Sequence, residues 1–257
     1  APPSDRAIAH RDLLLHLYGE ESQNLESEGE RLLLVGSVAH RILEGDVIAG
    51  IGTKGNSLPR LDPTRISIRS VRGPITLEAF NASGYDTSQV TGTYDPGLLA
   101  PQVYARALSS VTPEPGRTIL IPHYRDLKRI RRDVFSLRRR GIHVCSVDVD
   151  PETFLLSIAR AEKVYTSSLH GLIFAHALGR EAQLVAPTGG EPLLKYQDYY
   201  ASIGMPWTEP LSATEAISRR LRSFAPDIRV SEDDFGFPTR DELLMRRVIR
   251  TRIASAE

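Results

Sequence analysis

The sequence predicts an α/β protein composed of two Rossmann-like halves that face each other across a cleft. Short apolar runs alternate with amphipathic helical patterns along the chain, which is typical of parallel sheets with helical crossovers. This alternation occurs twice, and residues 112–116 between the two stretches contain two prolines and a glycine, which indicates a hinge. We therefore expect one domain over residues 1–111 and another over residues 112–257.

The first half is expected to begin with a helix over Asp5–Tyr18, which ends at Gly19. Three strands should follow, at Leu32–Val35, Val47–Ile51 and Ile66–Ile68. A helix from Pro74 to Ala82 completes this half, because the fixed φ of proline suits a first helical turn and Gly84 follows the last one.

The second half repeats the alternation. Its expected elements are a strand at Thr118–Ile121, a helix at Leu127–Arg140, a strand at Ile142–Val147, a helix at Pro151–Ala161, a strand at Val164–Thr166, a helix opening at Leu169–His170 and a strand at Ala182–Val185. A final helix is expected over Asp241–Ile253, where Thr239 and Glu242 have the spacing of a capping box. We expect this helix to pack back on the first domain.

Composition excludes several classes of function. The chain has 257 residues with 32 basic and 32 acidic side chains, so it has no bulk attraction to nucleic acid or to a membrane. Its single cysteine, Cys145, excludes an internal disulfide and argues against a cysteine-based metal site. No apolar run approaches the length of a transmembrane helix, and no secretory signal is visible. We expect a cytoplasmic enzyme, with at most peripheral association with the inner face of the plasma membrane.

Two conspicuous motifs have structural explanations. Within the basic run over residues 125–140, four apolar residues recur at spacings of three and four: Leu127, Ile130, Val134 and Leu137. This stripe indicates an amphipathic helix with a solvated basic face. Asp148 and Asp150 resemble the metal-binding DxD of some sugar transferases, but Pro151 follows, and Asp150 is better explained as a helix N-cap. We therefore predict neither a nucleic-acid partner nor a metal site.

His170 is the strongest candidate for a functional residue. We expect it in the first turn of a helix just beyond a strand, where ligands collect in open α/β sheets and the helix N-terminus favours anions. A lone histidine in this position is usually structural, so its companions matter. Arg72, in the sequence VRGP, has the equivalent position in the first half and can hold a carboxylate or phosphate through two parallel N–H bonds. The alternative for Arg72 is a local pair with Glu78.

Further candidates occur in loops of both halves. The glycine-rich run AGIGTKG begins at the end of the second strand. We expect a tight loop there whose backbone approaches a ligand, with Lys54 as an anion contact. Asp95 lies in the turn-forming sequence DPG, and His123 lies in PHYRD. Lys195 stands among three tyrosines in KYQDYY, a mixture that suits a sugar and anion site but also occurs on surface helices.

Taken in order, these motifs resemble those of the polysaccharide pyruvyltransferase family, above all the short bacterial members that decorate exopolysaccharide repeat units. The resemblance extends from about residue 32 to residue 200 and includes GSVAHRILEGDVIAGIGTKG, VRGP, DPGLL, PHYRD, TSSLHGLIFAHALG and KYQDYY. Two features differ from the family pattern. Ser168 stands where members often have arginine, and residues 4–11 contain no Asn-x-Gly-Asp turn.

The resemblance implies a GT-B-like fold and transfer of the enolpyruvyl unit of phosphoenolpyruvate (PEP) to two hydroxyls of one sugar. The product is a pyruvate ketal in a polysaccharide or its lipid-linked repeat unit. The implied PEP contacts come from Arg72, Ser168, Leu169, His170 and Lys195, with His170 as general acid/base, Arg72 on the donor anion and Lys195 at the departing phosphate. PEP is a substrate, so no cofactor is expected.

Two alternatives remain open. A GT-B nucleotide-sugar glycosyltransferase would share the fold, since fold does not determine function. Its acidic contact to the ribose would come from Glu191. An inactive family member that acts as a binding or scaffold subunit is the second alternative, which Ser168 and the absent turn favour.

Overall fold

The computed structural model describes residues 5–19, 30–130, 134–219 and 224–249, which form two parallel sheets. The first sheet has the order β1-β2-β3, with β1 at Leu32–Leu33, β2 at Val47–Ala49 and β3 at Ser67–Ser70. The second has the order β5-β4-β6-β7, with β4 at Thr118–Ile121, β5 at Ile142–Val144, β6 at Lys163–Thr166 and β7 at Glu181–Leu184. The predicted α/β class with parallel strands is confirmed.

Several strands are shorter than the apolar runs that predicted them. Leu34, Ile51 and Val147 are buried but lie beyond the last paired residues of β1, β2 and β5. The sequence pattern reports burial, whereas a strand ends where its ladder of hydrogen bonds ends. The buried segments beyond the strands lead into the loops that form the site.

The α-helices are α1 at Asp5–Tyr18, α2 at Pro74–Ala82, α3 at Ala100–Val103, α4 at Ala105–Leu108, α5 at Leu127–Ile130, α6 at Val134–Arg139, α7 at Pro151–Ala159, α8 at Leu169–Ala177, α9 at Leu194–Ser202, α10 at Ala213–Ser218 and α11 at Arg240–Met245. The bounds predicted for α1 and α2 are confirmed. The helix predicted over Leu127–Arg140 is described as α5 and α6, and residues 131–133 between them lie outside the described residues. Within the described ranges, none of these helices has the length and apolarity to cross a bilayer.

The prediction for the last helix is wrong in two respects. The helix α11 ends at Met245 rather than continuing, because Arg247 adopts a left-handed φ of 58°; residues 250–253 of the predicted helix lie outside the described residues. The Thr239 hydroxyl accepts a hydrogen bond from the Glu242 N–H at 3.2 Å, but the Glu242 carboxylate binds Arg69 and Arg246 instead of completing a capping box. The pair with Arg69 joins α11 to β3 of the first sheet.

Both sheets contribute to one hydrophobic core. Leu34 and Val47 of the first half belong to the same buried cluster as Ile119 and Ile121 of the second half. The helix α8 packs against the turn of 3₁₀ helix at Pro96–Leu99, which brings the chain after β3 onto the second sheet. The loops at the carboxyl ends of both sheets are therefore held close together.

Candidate active site

A pocket of about 420 Å³, including the space at its open mouth, lies between the carboxyl ends of the two sheets. Gly36 and Ser37 follow β1, and Val147 follows β5. Seven residues that the sequence singled out also line the pocket: Arg72, Asp95, His123, Ser168, Leu169, His170 and Lys195. Lys54, the eighth, does not line it. The structure thus brings seven of the eight candidates to one place.

His170 lies at the second position of α8, whose start is set by local hydrogen bonds. Ser168 is the N-cap, and its hydroxyl accepts from the Gly171 N–H at 3.4 Å. The Ser168 N–H donates to the Thr166 hydroxyl at 2.9 Å, which fixes the turn between β6 and the helix. His170 borders the polar pocket and also an adjacent apolar cavity, where its ring centroid lies 6.1 Å from that of Phe174. Ser168, where family members often have arginine, therefore has a structural role here.

Arg72 lies at the carboxyl end of β3, and its side chain is fully buried. Its Nε donates to Asp198 Oδ2 at 3.0 Å, and its Nη2 lies 2.9 Å from the same oxygen. Nη1 donates to the Ser37 hydroxyl at 2.7 Å, and Nη2 also donates to the Thr53 carbonyl oxygen. The suggested local pair with Glu78 is wrong, because Glu78 is exposed and the carboxylate partner comes from α9.

The Arg72–Asp198 pair also fixes the start of α2. Asp198 Oδ1 accepts from the Thr76 N–H at 3.0 Å, and Oδ2 accepts from the Thr76 hydroxyl at 2.6 Å. A Cβ on Gly52 would lie 2.1 Å from Arg72 Cζ, and one on Gly73 would lie 2.3 Å from the Asp198 carbonyl oxygen. Only glycine allows this close approach, so the glycine-rich loop that suggested a ligand contact packs against Arg72.

Lys195 belongs to a second cluster of charges on the other side of the pocket. Its Nζ donates to Glu191 Oε1 at 2.8 Å, while Arg125 Nη1 lies 3.2 Å from Oε2. His123 Nε2 lies 3.7 Å from the same Oε2. Burial alone would raise the pKa of Glu191, but its hydrogen bond to Lys195 and the charges of Lys195, His123 and Arg125 outweigh it, so the pKa is lowered. Glu191 is thus a carboxylate that faces Lys195, Arg125 and His123.

The helix α9 is not the surface helix that its composition also allowed. Lys195, Tyr196, Asp198, Tyr199 and Tyr200 are all buried. Residues at i and i+3 share a helix face, so Lys195 and Asp198 both point toward the junction of the halves. Asp198 and Ser37 are the residues that sequence reasoning missed, although the spacing of Lys195 and Asp198 was a usable signal.

Asp95 is almost completely buried and has one oxygen without a described partner. Its Oδ1 accepts from the Gly97 N–H at 2.8 Å, which caps the 3₁₀ helix at Pro96–Leu99. Its Oδ2 has no hydrogen-bond partner among the described residues. Burial raises the pKa of Asp95 to about 6, against the opposing effects of Arg72 and the Gly97 N–H. A carboxyl group in this state can exchange protons near neutral pH.

Two other features resemble ligand sites. A wider groove of about 1190 Å³ lies at the amino-terminal ends of β2 and β3, away from the carboxyl ends where ligands collect in open α/β sheets. Asp150 caps α7 by accepting from the Thr153 N–H at 2.9 Å, as its sequence predicted. Among the residues that the structure describes, no three His, Cys, Asp or Glu side chains form a group that could hold a metal ion.

The fold and the pocket define an α/β protein with two parallel sheets and a charged pocket where their carboxyl ends meet. Residues 63–186 match the family described as polysaccharide pyruvyl transferase. The resemblance predicted from the motifs is therefore confirmed over this part of the chain. The matched range contains Arg72, Asp95, His123 and Ser168–His170, and it ends before Lys195.

One curated relative is an uncharacterised protein of Acanthamoeba polyphaga mimivirus, 31% identical over 179 residues. The similar segment covers 66% of this chain and 59% of that protein, so this chain matches less than two thirds of its relative's length. No solved structure matches the chain significantly.

Proposed function

We propose that this protein transfers the enolpyruvyl unit of PEP to two hydroxyls of one sugar and so forms a pyruvate ketal. The observation that carries the proposal is the pocket itself, where Arg72, His123, Lys195 and the start of α8 surround one polar space. The match of residues 63–186 to the polysaccharide pyruvyl transferase family favours pyruvyl transfer. PEP as the donor and a ketal as the product are the finer part of the proposal.

The donor's two anionic groups need positive partners from more than one direction. The start of α8 offers N–H groups that favour an anion, and His170 lies there. Arg72 Nη1 has two hydrogens, and the Ser37 hydroxyl accepts one of them, so we assign the other to the carboxylate or phosphate of PEP. On the opposite side, we assign Lys195 and His123 to the phosphate, with Glu191 holding Lys195 in place.

The proposed reaction requires proton transfer to the donor. A proton must reach the enol carbon, which leaves a positively polarised carbon that a sugar hydroxyl attacks before phosphate departs. A histidine can carry that proton near neutral pH. We assign this step to His170, because it borders the pocket at the start of α8, where the bound donor's phosphate would favour the protonated imidazole.

The acceptor is proposed to be a sugar in a polysaccharide or in its lipid-linked repeat unit, and the two halves to form a GT-B-like cleft around donor and acceptor. A lipid-linked acceptor would place the reaction in the cytoplasm at the inner face of the plasma membrane.

The geometry of Glu191 disfavours the alternative function of a nucleotide-sugar glycosyltransferase. Glu191 would have to bind a ribose, but its two oxygens already bind Lys195 and Arg125.

Incubation of the purified protein with PEP and a panel of methyl hexosides that carry free diols tests the proposal. We expect phosphate and sugar ketal to form in equal amounts. Release of nucleoside diphosphate from nucleotide sugars, with PEP untouched, would instead support a glycosyltransferase. PEP binding in calorimetry without turnover on any acceptor, or no PEP binding at all, would support the inactive binding subunit.

A further inference from the structure

We infer that Asp95 is a second proton-transfer residue of this site and accepts the proton of the first sugar hydroxyl as that hydroxyl attacks the donor. This inference rests on the proposed function and adds a catalytic residue to it. The reaction involves two hydroxyl protons and one new C–H bond, so two groups that exchange protons are more suitable than one.

Asp95 lines the pocket and has one buried carboxyl oxygen without a partner among the described residues. Its side chain is 1% exposed, and it shares the pocket lining with His170. Oδ1 is held by the Gly97 N–H at 2.8 Å, which fixes the orientation of the carboxyl group. Oδ2 has no partner among the described residues. A buried carboxyl oxygen without a hydrogen bond is costly, and a sugar hydroxyl that donates to it would remove that cost.

The proton balance works when Asp95 and His170 act in opposite order. Protonated His170 gives its proton to the enol carbon, while Asp95 accepts the proton of the first hydroxyl as its oxygen bonds to the adjacent carbon. Asp95 then returns that proton to the phosphate as the carbon–oxygen bond to phosphate breaks. Neutral His170 accepts the proton of the second hydroxyl as the ring closes. Both residues end the cycle in their starting states, and the products are the ketal and hydrogen phosphate.

Burial and the charged groups around Asp95 together set its pKa, and the proposed cycle needs a carboxyl group that can both accept and release a proton. Burial favours its neutral form, the Arg72 guanidinium favours the carboxylate, and Asp198 opposes Arg72. Asp95 in turn contributes to the raised pKa of Tyr199 on α9. The remaining ionisable groups of the pocket lining are His123, Tyr124, His170 and Lys195. Burial raises the pKa of Asp95 to about 6, which makes its proton exchangeable near neutral pH.

The test uses Asp95→Asn together with a matched control, Asp62→Asn. Asparagine keeps the volume and the capping oxygen of Asp95. Asp62 also precedes a proline and caps a 3₁₀ helix, accepting from the Thr64 N–H at 2.9 Å, but it lies at the exposed surface outside the pocket. We expect Asp95→Asn to lower kcat/KM by about 10²–10⁴, the usual scale for a lost general base. PEP affinity and thermal unfolding should change little, and Asp62→Asn should behave as the wild type.

The pH profile separates a catalytic role from a structural one. Wild-type kcat/KM should fall as the pH drops through about 6, because protonated Asp95 cannot accept the hydroxyl proton. The residual activity of Asp95→Asn should lack this acid limb, and Asp95→Ser, which also keeps a cap, provides the same comparison if Asn unfolds. Near-wild-type turnover in a folded variant, or a wild-type profile without the limb, would overturn the inference while leaving the proposed function intact. Absence of PEP turnover in the wild type would overturn both.

Discussion

His170 and Asp95 border the same pocket but are held in different ways. His170 projects from the first turn of α8, whereas Asp95 is fixed by its own bond to the Gly97 N–H. One residue is placed by the start of a helix and the other by a proline turn, so neither depends on the other for its position. This independence allows each proton-transfer role to be tested separately.

Replacement of His170 by glutamine tests its assignment as general acid. Glutamine retains volume and a hydrogen-bonding group, so the fold and most of the PEP affinity should persist. Turnover in a single-turnover phosphate assay should fall by about 10²–10⁴ because the proton donor is lost. His143→Gln is the control, since His143 lies exposed on β5 away from the pocket. Near-wild-type turnover would reject the role, and a collapsed melting temperature would show that His170 is structural.

At the scale of elements, the buried pair between Arg72 and Asp198 joins β3, the start of α2 and α9. Arg72 is therefore a candidate contact for PEP, and it also stabilises the position of α9, which carries Lys195. Different substitutions of Arg72 test its structural role and its role in PEP binding. Lysine keeps the charge but lacks the fork that reaches several acceptors at once.

We expect Arg72→Ala to destabilise the protein by about 3–5 kcal/mol, because it leaves Asp198 buried without its cation. Arg65→Ala is the matched control, since Arg65 pairs with Glu44 at the exposed surface and should cost at most about 1 kcal/mol. Denaturant unfolding measures both. Equal losses of unfolding free energy in the two variants would contradict this structural role of Arg72.

Arg72→Lys should weaken PEP binding by about tenfold to a hundredfold in calorimetry, and unchanged affinity would remove Arg72 from the donor site.

Much of the architecture was predictable because local signals specify it. Pro74 and Pro151 mark the starts of α2 and α7, and parallel strands share a carboxyl edge, which is why separate motifs could be assigned to one pocket. The pair of Arg72 and Asp198 was not predictable, because it joins residues 126 apart and depends on how α9 packs against α2. The raised pKa of Asp95 was not predictable from the sequence either, since burial and charged neighbours distant in the chain determine it.

For the whole molecule, the charges that surround the pocket are supplied by the protein itself. Arg72, His123, Lys195 and the start of α8 contribute from both halves. We therefore expect turnover to persist in excess EDTA, because these groups can donate hydrogen bonds to the donor's carboxylate and phosphate without a divalent ion. Loss of activity with EDTA that Mg²⁺ or Mn²⁺ restores would contradict this expectation and return attention to Asp148 and Asp150.

In the proposed reaction, PEP becomes a sugar ketal through protonation of its enol carbon. The most direct measurement is NMR of a reaction with PEP and a diol sugar in D₂O, with phosphate release followed in parallel. We predict one new ketal methyl group for each phosphate released, carrying a single deuteron that was delivered by the exchangeable acid of the site. Phosphate released without a ketal, or a product that retains an intact vinyl group, would contradict the proposed reaction.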